Sequence, residues 1–164
     1  MILKEQQEII KNIVKDFFNK ATIAVEIKEE KVEGESFKVN IETESPQLLI
    51  GENGQTLSEI QYLLRLILRK KIGSDILFDL DINDYKSKKA SYLKELANIM
   101  ADEVVLTKQD TELLPMLSQD RRIIHLALSD RTDVVTESLG QGTERRVVIK
   151  LRPADRSEIT MPEE

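Results

Sequence analysis

Residues 48–57 read Leu-Leu-Ile-Gly-Glu-Asn-Gly-Gln-Thr-Leu, with glycines at 51 and 54 around Glu52 and Asn53. Pro46 suits the first turn of a helix, and it opens a short one over 47–50 that the glycine pair interrupts. From 55 to 71, Leu57, Ile60, Leu64, Ile67 and Leu68 recur at i, i+3, i+4 spacing, and Gly73 follows as a stop. The glycine pair therefore joins two helices. Without a Cβ, each glycine lets the chain turn sharply and lets a ligand come close. The second helix begins just after the turn, so its free amides and dipole favour an anion there.

Upstream, residues 3–20 place Leu3, Ile9, Ile10, Ile13, Val14, Phe17 and Phe18 at helical spacing. Residues 21–28 alternate and are rich in Ile and Val, 29–36 form a charged turn with Gly34, and 37–41 alternate again, which predicts a hairpin with a fairly long loop. Downstream, 76–82 alternates apolar and acidic residues as a third strand. Asp84 reads as the N-cap of a long helix through about Leu106, with Tyr85, Leu93, Leu96, Met100 and Val104 on its buried side. The polar stretch 107–112 reads as the joint between modules, and a helix follows Pro115 over about 116–128. Strands are expected at 133–138 and 145–151, joined by the Gly140-Gln141-Gly142 turn. Residues 154–164 are acidic, contain Pro162 and read as a frayed tail.

A second motif lies on the helix after Pro115. Arg121 and His125, the only histidine, are i, i+4 neighbours at the margin of an inner face formed by Leu117, Ile123, Ile124, Ala127 and Leu128. Arg122 lies further round on the solvent side. Arginine offers a planar fork to phosphate and a face for bases, and histidine can stack or donate without full charge. Arg145 and Arg146 could extend this surface, but a strand alternates, so only one of them shares its face. The bland alternative is a half-buried histidine, with Arg121 paired to Asp120 or another acid.

Gly51-Glu52-Asn53-Gly54 resembles the GxxG loop of KH domains, and the order helix, strand, strand, short helix, GxxG, helix, strand is similar to a type II KH domain. Arg121 and His125 resemble the RxxxH motif of R-three-H domains. In tandem, over roughly 4–153, they resemble the bacterial Jag (SpoIIIJ-associated) family, and Tyr85-Lys86-Ser87-Lys88-Lys89 resembles the basic start of its corresponding helix. The resemblance implies an α+β fold with a KH domain at 1–83, a small α/β R-three-H domain at 84–153 that includes its long leading helix, and the tail at 154–164. It implies single-stranded RNA contact by Gly51, Glu52, Asn53 and Gly54, with Leu49, Ile50, Leu57, Ile60 and the third strand lining a groove beside them. It assigns single-stranded RNA or DNA binding to Arg121 and His125. It further implies post-transcriptional control tied to cell elongation or division, and pairing with a small KH-only protein or with itself. The extra N-terminal domain that many Jag members carry is expected to be absent. The family's usual Lys or Arg inside the loop is replaced by Glu52 and Asn53. A carboxylate near a phosphate is repulsive by roughly 1 kcal/mol at a wet surface, which leaves a scaffold role for the loop as the alternative.

Charge divides unevenly along a chain of net charge −6. Residues 21–83 hold 7 Lys/Arg against 12 Asp/Glu, net −5, whereas 108–153 hold 8 against 7, net +1. Phosphate neutralisation supplies most non-specific affinity, so binding should favour the C-terminal half. The chain has no cysteine, no GxxxxGK[ST] loop and no recognisable triad around its one histidine, so no enzyme, cofactor or metal is expected. Asp79 and Asp81 share one strand face and read as its wet side. No apolar run reaches a membrane span and the N-terminus lacks signal-peptide character, so the cytoplasm is expected. These features together predict a non-catalytic RNA-binding adaptor. The alternatives are a protein-interaction scaffold with an inactive KH loop and a single-stranded DNA binder acting through the second domain.

Overall fold

The computed structural model describes residues 2–33, 36–73 and 76–152. It holds, in chain order, α1 (Lys4–Lys20), β1 (Glu26–Glu33), β2 (Ser36–Glu42), α2 (Pro46–Ile50), α3 (Gln55–Ile72), β3 (Leu77–Ile82), α4 (Tyr85–Thr107), β4 (Thr111–Glu112), α5 (Ser118–Ala127), β5 (Val134–Leu139) and β6 (Arg146–Leu151). Two compact units divide at Lys86 and Ser87, inside the first turn of α4. The expected acidic tail lies outside the described residues.

In the first unit the sheet order is β1-β2-β3, with β1 antiparallel and β3 parallel to the central β2. Parallel pairing of β2 with β3 requires a crossover, and α2, the glycine turn and α3 supply it. Phe37, Val39 and Ile41 on β2 alternate with more exposed neighbours, and with Phe78, Leu80 and Ile82 they form one buried face. Ile10, Val14 and Phe18 of α1 and Leu57, Ile60, Leu64 and Leu68 of α3 close that core. The order is the one the KH resemblance implies.

The second sheet runs β4-β6-β5, all antiparallel. Its core joins Leu93, Ala97, Ala101 and Val104 of α4 and Ile124 of α5 to Val134, Val147, Ile149 and Leu151 of the sheet. The alanines at 97 and 101 let α4 pack closely. Lys89 and Asp120 pair at 2.6 Å, tying the start of α4 to the first turn of α5. Arg131 grips Asp133 and Asp102 at 2.6 Å each, and these carboxylates, Asp133 first, hold its guanidinium more firmly protonated than usual.

Three local expectations are corrected. The first strand is Glu26–Glu33 rather than 21–28, and pairing continues to Glu33 opposite Ser36, so the hairpin connection is short. β1 is an edge strand whose charged residues at 26 and 28–31 are exposed, so its sequence resembles a turn. The stretch 107–112 is not a joint, because Thr111 and Glu112 form β4 opposite Ile149 and Val148 within the second unit. Asp84 is not in a capping conformation: its φ is +58°, and the Lys86 amide donates to Asp81 Oδ1 at 3.1 Å.

Candidate nucleic-acid interface

The glycine turn owes its shape to both glycines. Gly51 has φ +69°, and a Cβ there would lie 2.0 Å from Thr56 Oγ1. Gly54 is buried, has φ +85° and lies under the Tyr85 ring. Between them Glu52 and Asn53 are exposed, and Asn53 takes φ +52°, which asparagine tolerates. Gly51→Ala should destabilise the first unit by about 2 kcal/mol or more, from the overlap added to the strained backbone. Gly73 has φ +72° with nothing within 4 Å of its Cβ position. Gly73→Ala should therefore cost only about 1 kcal/mol. Equal denaturation midpoints for the two variants would refute the steric argument.

On the expected groove, Leu49, Leu57 and Ile60 are buried core residues, and Ile50 is half-buried against them. The turn therefore presents backbone and Glu52 rather than cationic side chains.

In the second unit, α5 lies against β5 through His125. Its Nδ1 is 2.7 Å from Thr136 Oγ1 and its Nε2 2.8 Å from Ser138 Oγ. Val134, Thr136 and Ser138 alternate onto the helix-facing side, opposite Leu151, Ile149 and Val147. A neutral imidazole has one donor and one acceptor. One hydroxyl thus donates to the ring, while the other accepts from it and keeps its own proton for a ligand. Both ring nitrogens are engaged, so the free contribution of His125 is its ring face and not an N–H to phosphate. Thr136 and Ser138 belong to no motif, although two hydroxyl residues two apart on one strand face are a usable signal.

Burial, and secondarily the nearby Arg121 charge, lower the His125 pKa below its ordinary 6.5. The unfolded chain therefore binds this proton more readily. The stability contributed by neutral His125 is present above pH 6.5 and is lost as pH falls through the lower folded value. The imidazole of this single histidine, followed by NMR in the free protein, is expected to titrate below 6.5. A midpoint at or above 6.5 would refute the burial argument.

Arg121 is not paired with Asp120, which Lys89 holds. Its Nη1 donates to the Met116 carbonyl at 2.8 Å, and the Met116 amide donates to the Arg145 carbonyl at 3.1 Å. These bonds bring Arg121 beside the backbone entering β6. Arg146, opposite Leu139, is on the sheet face away from Ser138 and His125, where its Nε donates to Glu112 at 2.6 Å. Alternation therefore takes Arg146 off the surface and leaves Arg145. Arg122 and Arg145 are exposed and, among the described residues, make no ion pair. Arg131, Arg146 and Lys150 are committed to carboxylates. Arg121, Arg122 and Arg145 are thus cations that no carboxylate pairs among the described residues, and Arg121 lies one helical turn from the imidazole and its two hydroxyl partners. Such a set suits a phosphate-sugar backbone.

Among the described residues no group of acidic residues and histidine is placed to hold a metal. Asp79 meets Lys86, and Asp81 accepts backbone amides. No described helix is long and apolar enough to cross a membrane.

Family models match in both units: the KhpA/KhpB KH domain over residues 7–77 and the R-three-H domain over residues 91–151. The chain is similar to the RNA-binding protein KhpB of Clostridium symbiosum, 37% identical over 140 residues, covering 85% of this chain and 63% of that protein. It is 37% identical over 114 residues to RNA-binding protein KhpB of Bacillus subtilis, with 68% and 55% covered. The Streptococcus pneumoniae protein of the same name is 28% identical over 114 residues, with 70% and 35% covered. The chain thus spans between about a third and two thirds of the length of these relatives.

Proposed function

This chain belongs to the KhpB, or Jag, family that joins a KH to an R-three-H domain, and on that premise we propose that it binds single-stranded RNA through its second unit. The observation that carries the reading is the set Arg121, His125, Ser138 and Arg145, brought to one end of β5 and β6. Arg121, Arg122 and Arg145 attract the backbone, a hydroxyl beside His125 donates to it, and the ring face receives a base. Gly51–Gly54 adds backbone amides, weakened by Glu52. The protein acts without catalysis, in the cytoplasm. Post-transcriptional control of elongation or division rests on the family resemblance alone.

A protein partner for the first unit has its own support. Tyr62, Leu63, Leu66 and Ile67 form an exposed apolar row on α3, 61%, 48%, 45% and 37% exposed. Such a row suits a small KH-only protein or a second copy.

The test is titration with a mixed-sequence single-stranded RNA, and the same sequence as DNA, at several salt concentrations. Three phosphate contacts predict log affinity falling with log salt at a slope of about −2. Unmoved α5 and β5 amide signals with both nucleic acids would sink the reading. Tighter binding of the DNA would replace RNA by DNA as the ligand.

A further inference from the structure

The residues that follow β3 fold back over the glycine turn. A Cβ on Gly54 would lie 3.0 Å from a Tyr85 ring carbon and 3.1 Å from its hydroxyl. The space that glycine leaves is therefore filled by Tyr85 rather than open to a phosphate. Lys86 is held at three points. Its amide donates to Asp81 Oδ1 at 3.1 Å, and its ammonium donates to Gln61 Oε1 at 2.8 Å and pairs with Asp79.

The neighbouring strand edge is also occupied from within. β3 lies at the edge of its sheet, so half of its backbone groups face away from β2. Gln61, only 8% exposed, accepts the Leu80 amide at 3.0 Å, and Arg65 Nε donates to the Phe78 carbonyl at 2.8 Å. A free edge is a template for an incoming backbone or base. Here the Leu80 amide and the Phe78 carbonyl are taken by α3, and Lys86 locks Gln61 in place. All of these residues belong to the first unit.

We propose that Tyr85 and Lys86 form a strap closing the cleft between the glycine turn and the edge of β3. Nucleic acid engages Gly51–Gly54 only when this strap is displaced. The weak chemistry of the turn, with Glu52 at its centre, is then matched by an internal competitor, and the second unit dominates binding. The proposal rests on the nucleic-acid reading above, and the α5 surface serves as its separate control.

The test is an amide NMR titration of the full chain with mixed-sequence single-stranded RNA at low salt, comparing the unaltered protein with Tyr85→Ala. In the variant, signals of Gly51–Gln55 should move at about fivefold lower RNA concentration, the fold-change that about 1 kcal/mol of lost strap contact gives. Tyr85 also packs against the core, so Lys86→Ala, which leaves that ring in place and removes the ammonium's contacts with Gln61 and Asp79, is the second variant. Loop signals that stay still in both variants, or move no earlier than in the unaltered protein, overturn the strap. Loop signals that move only while Tyr85 is present overturn it too, and make Tyr85 a base-stacking contact. Failure of α5 signals to move in any of the proteins counts against the second-unit reading, and the loop comparison still decides the strap.

Discussion

Asp120→Ala is expected to destabilise the second unit by about 3 kcal/mol, because it removes a buried carboxylate that meets the Lys89 ammonium at 2.6 Å. The two side chains are only 17% and 8% exposed and meet at 2.6 Å. Asp120 also sits in the first turn of α5, where the helix dipole favours a carboxylate. Denaturant unfolding of the full chain would show the loss. The double replacement Lys89→Met with Asp120→Leu should recover most of it, since a matched apolar pair carries no desolvated charge. A loss under about 1 kcal/mol would mean that the pair behaves as a solvent-screened surface bridge. The pair also places α5, so Asp120→Ala should disturb the nucleic-acid surface beside it.

Arg121→Ala is expected to weaken RNA binding by about tenfold to a hundredfold, the range for one charge-assisted contact of roughly 1.5–3 kcal/mol. The side chain is already oriented by its bond to the Met116 carbonyl, so little ordering is left for binding to impose. The salt slope should become shallower by about 1. Arg146→Ala removes the same formal charge from the opposite sheet face, where Glu112 already compensates it. Its effect should stay under about twofold, since a paired rim charge contributes little. Equal losses for the two variants would show that net charge, not this surface, governs affinity.

Much of the fold was legible because its signals are local. The 3.6-residue spacing of Ile10, Val14 and Phe18, and of Leu57, Ile60, Leu64 and Leu68, follows from which face of a helix meets the core. The left-handed backbone at Gly51 and Gly54 is likewise a demand met by residue type. β1 misled because an edge strand with wet, charged side chains lacks the alternation that burial imposes on β2. The cap of α4 misled because Asp84, adjacent to the helix, was the obvious candidate. The acceptor is Asp81, brought there by a chain reversal through two left-handed residues, Asn83 and Asp84.

By itself, the sequence determined the order of elements in the first unit, the two-module plan, the glycine turn and the RxxxH spacing, since each depends on neighbours within a few residues. Only the tertiary structure decided which groups those motifs meet. It turned Arg146 away toward Glu112, engaged both nitrogens of His125 with Thr136 and Ser138, and gave Asp120 to Lys89 rather than Arg121. It also laid Tyr85 over Gly54. The physical reason is the same in each case. A hydrogen bond or ion pair depends on distances of about 3 Å in space, and those distances are set by how sheets and helices pack, not by separation along the chain.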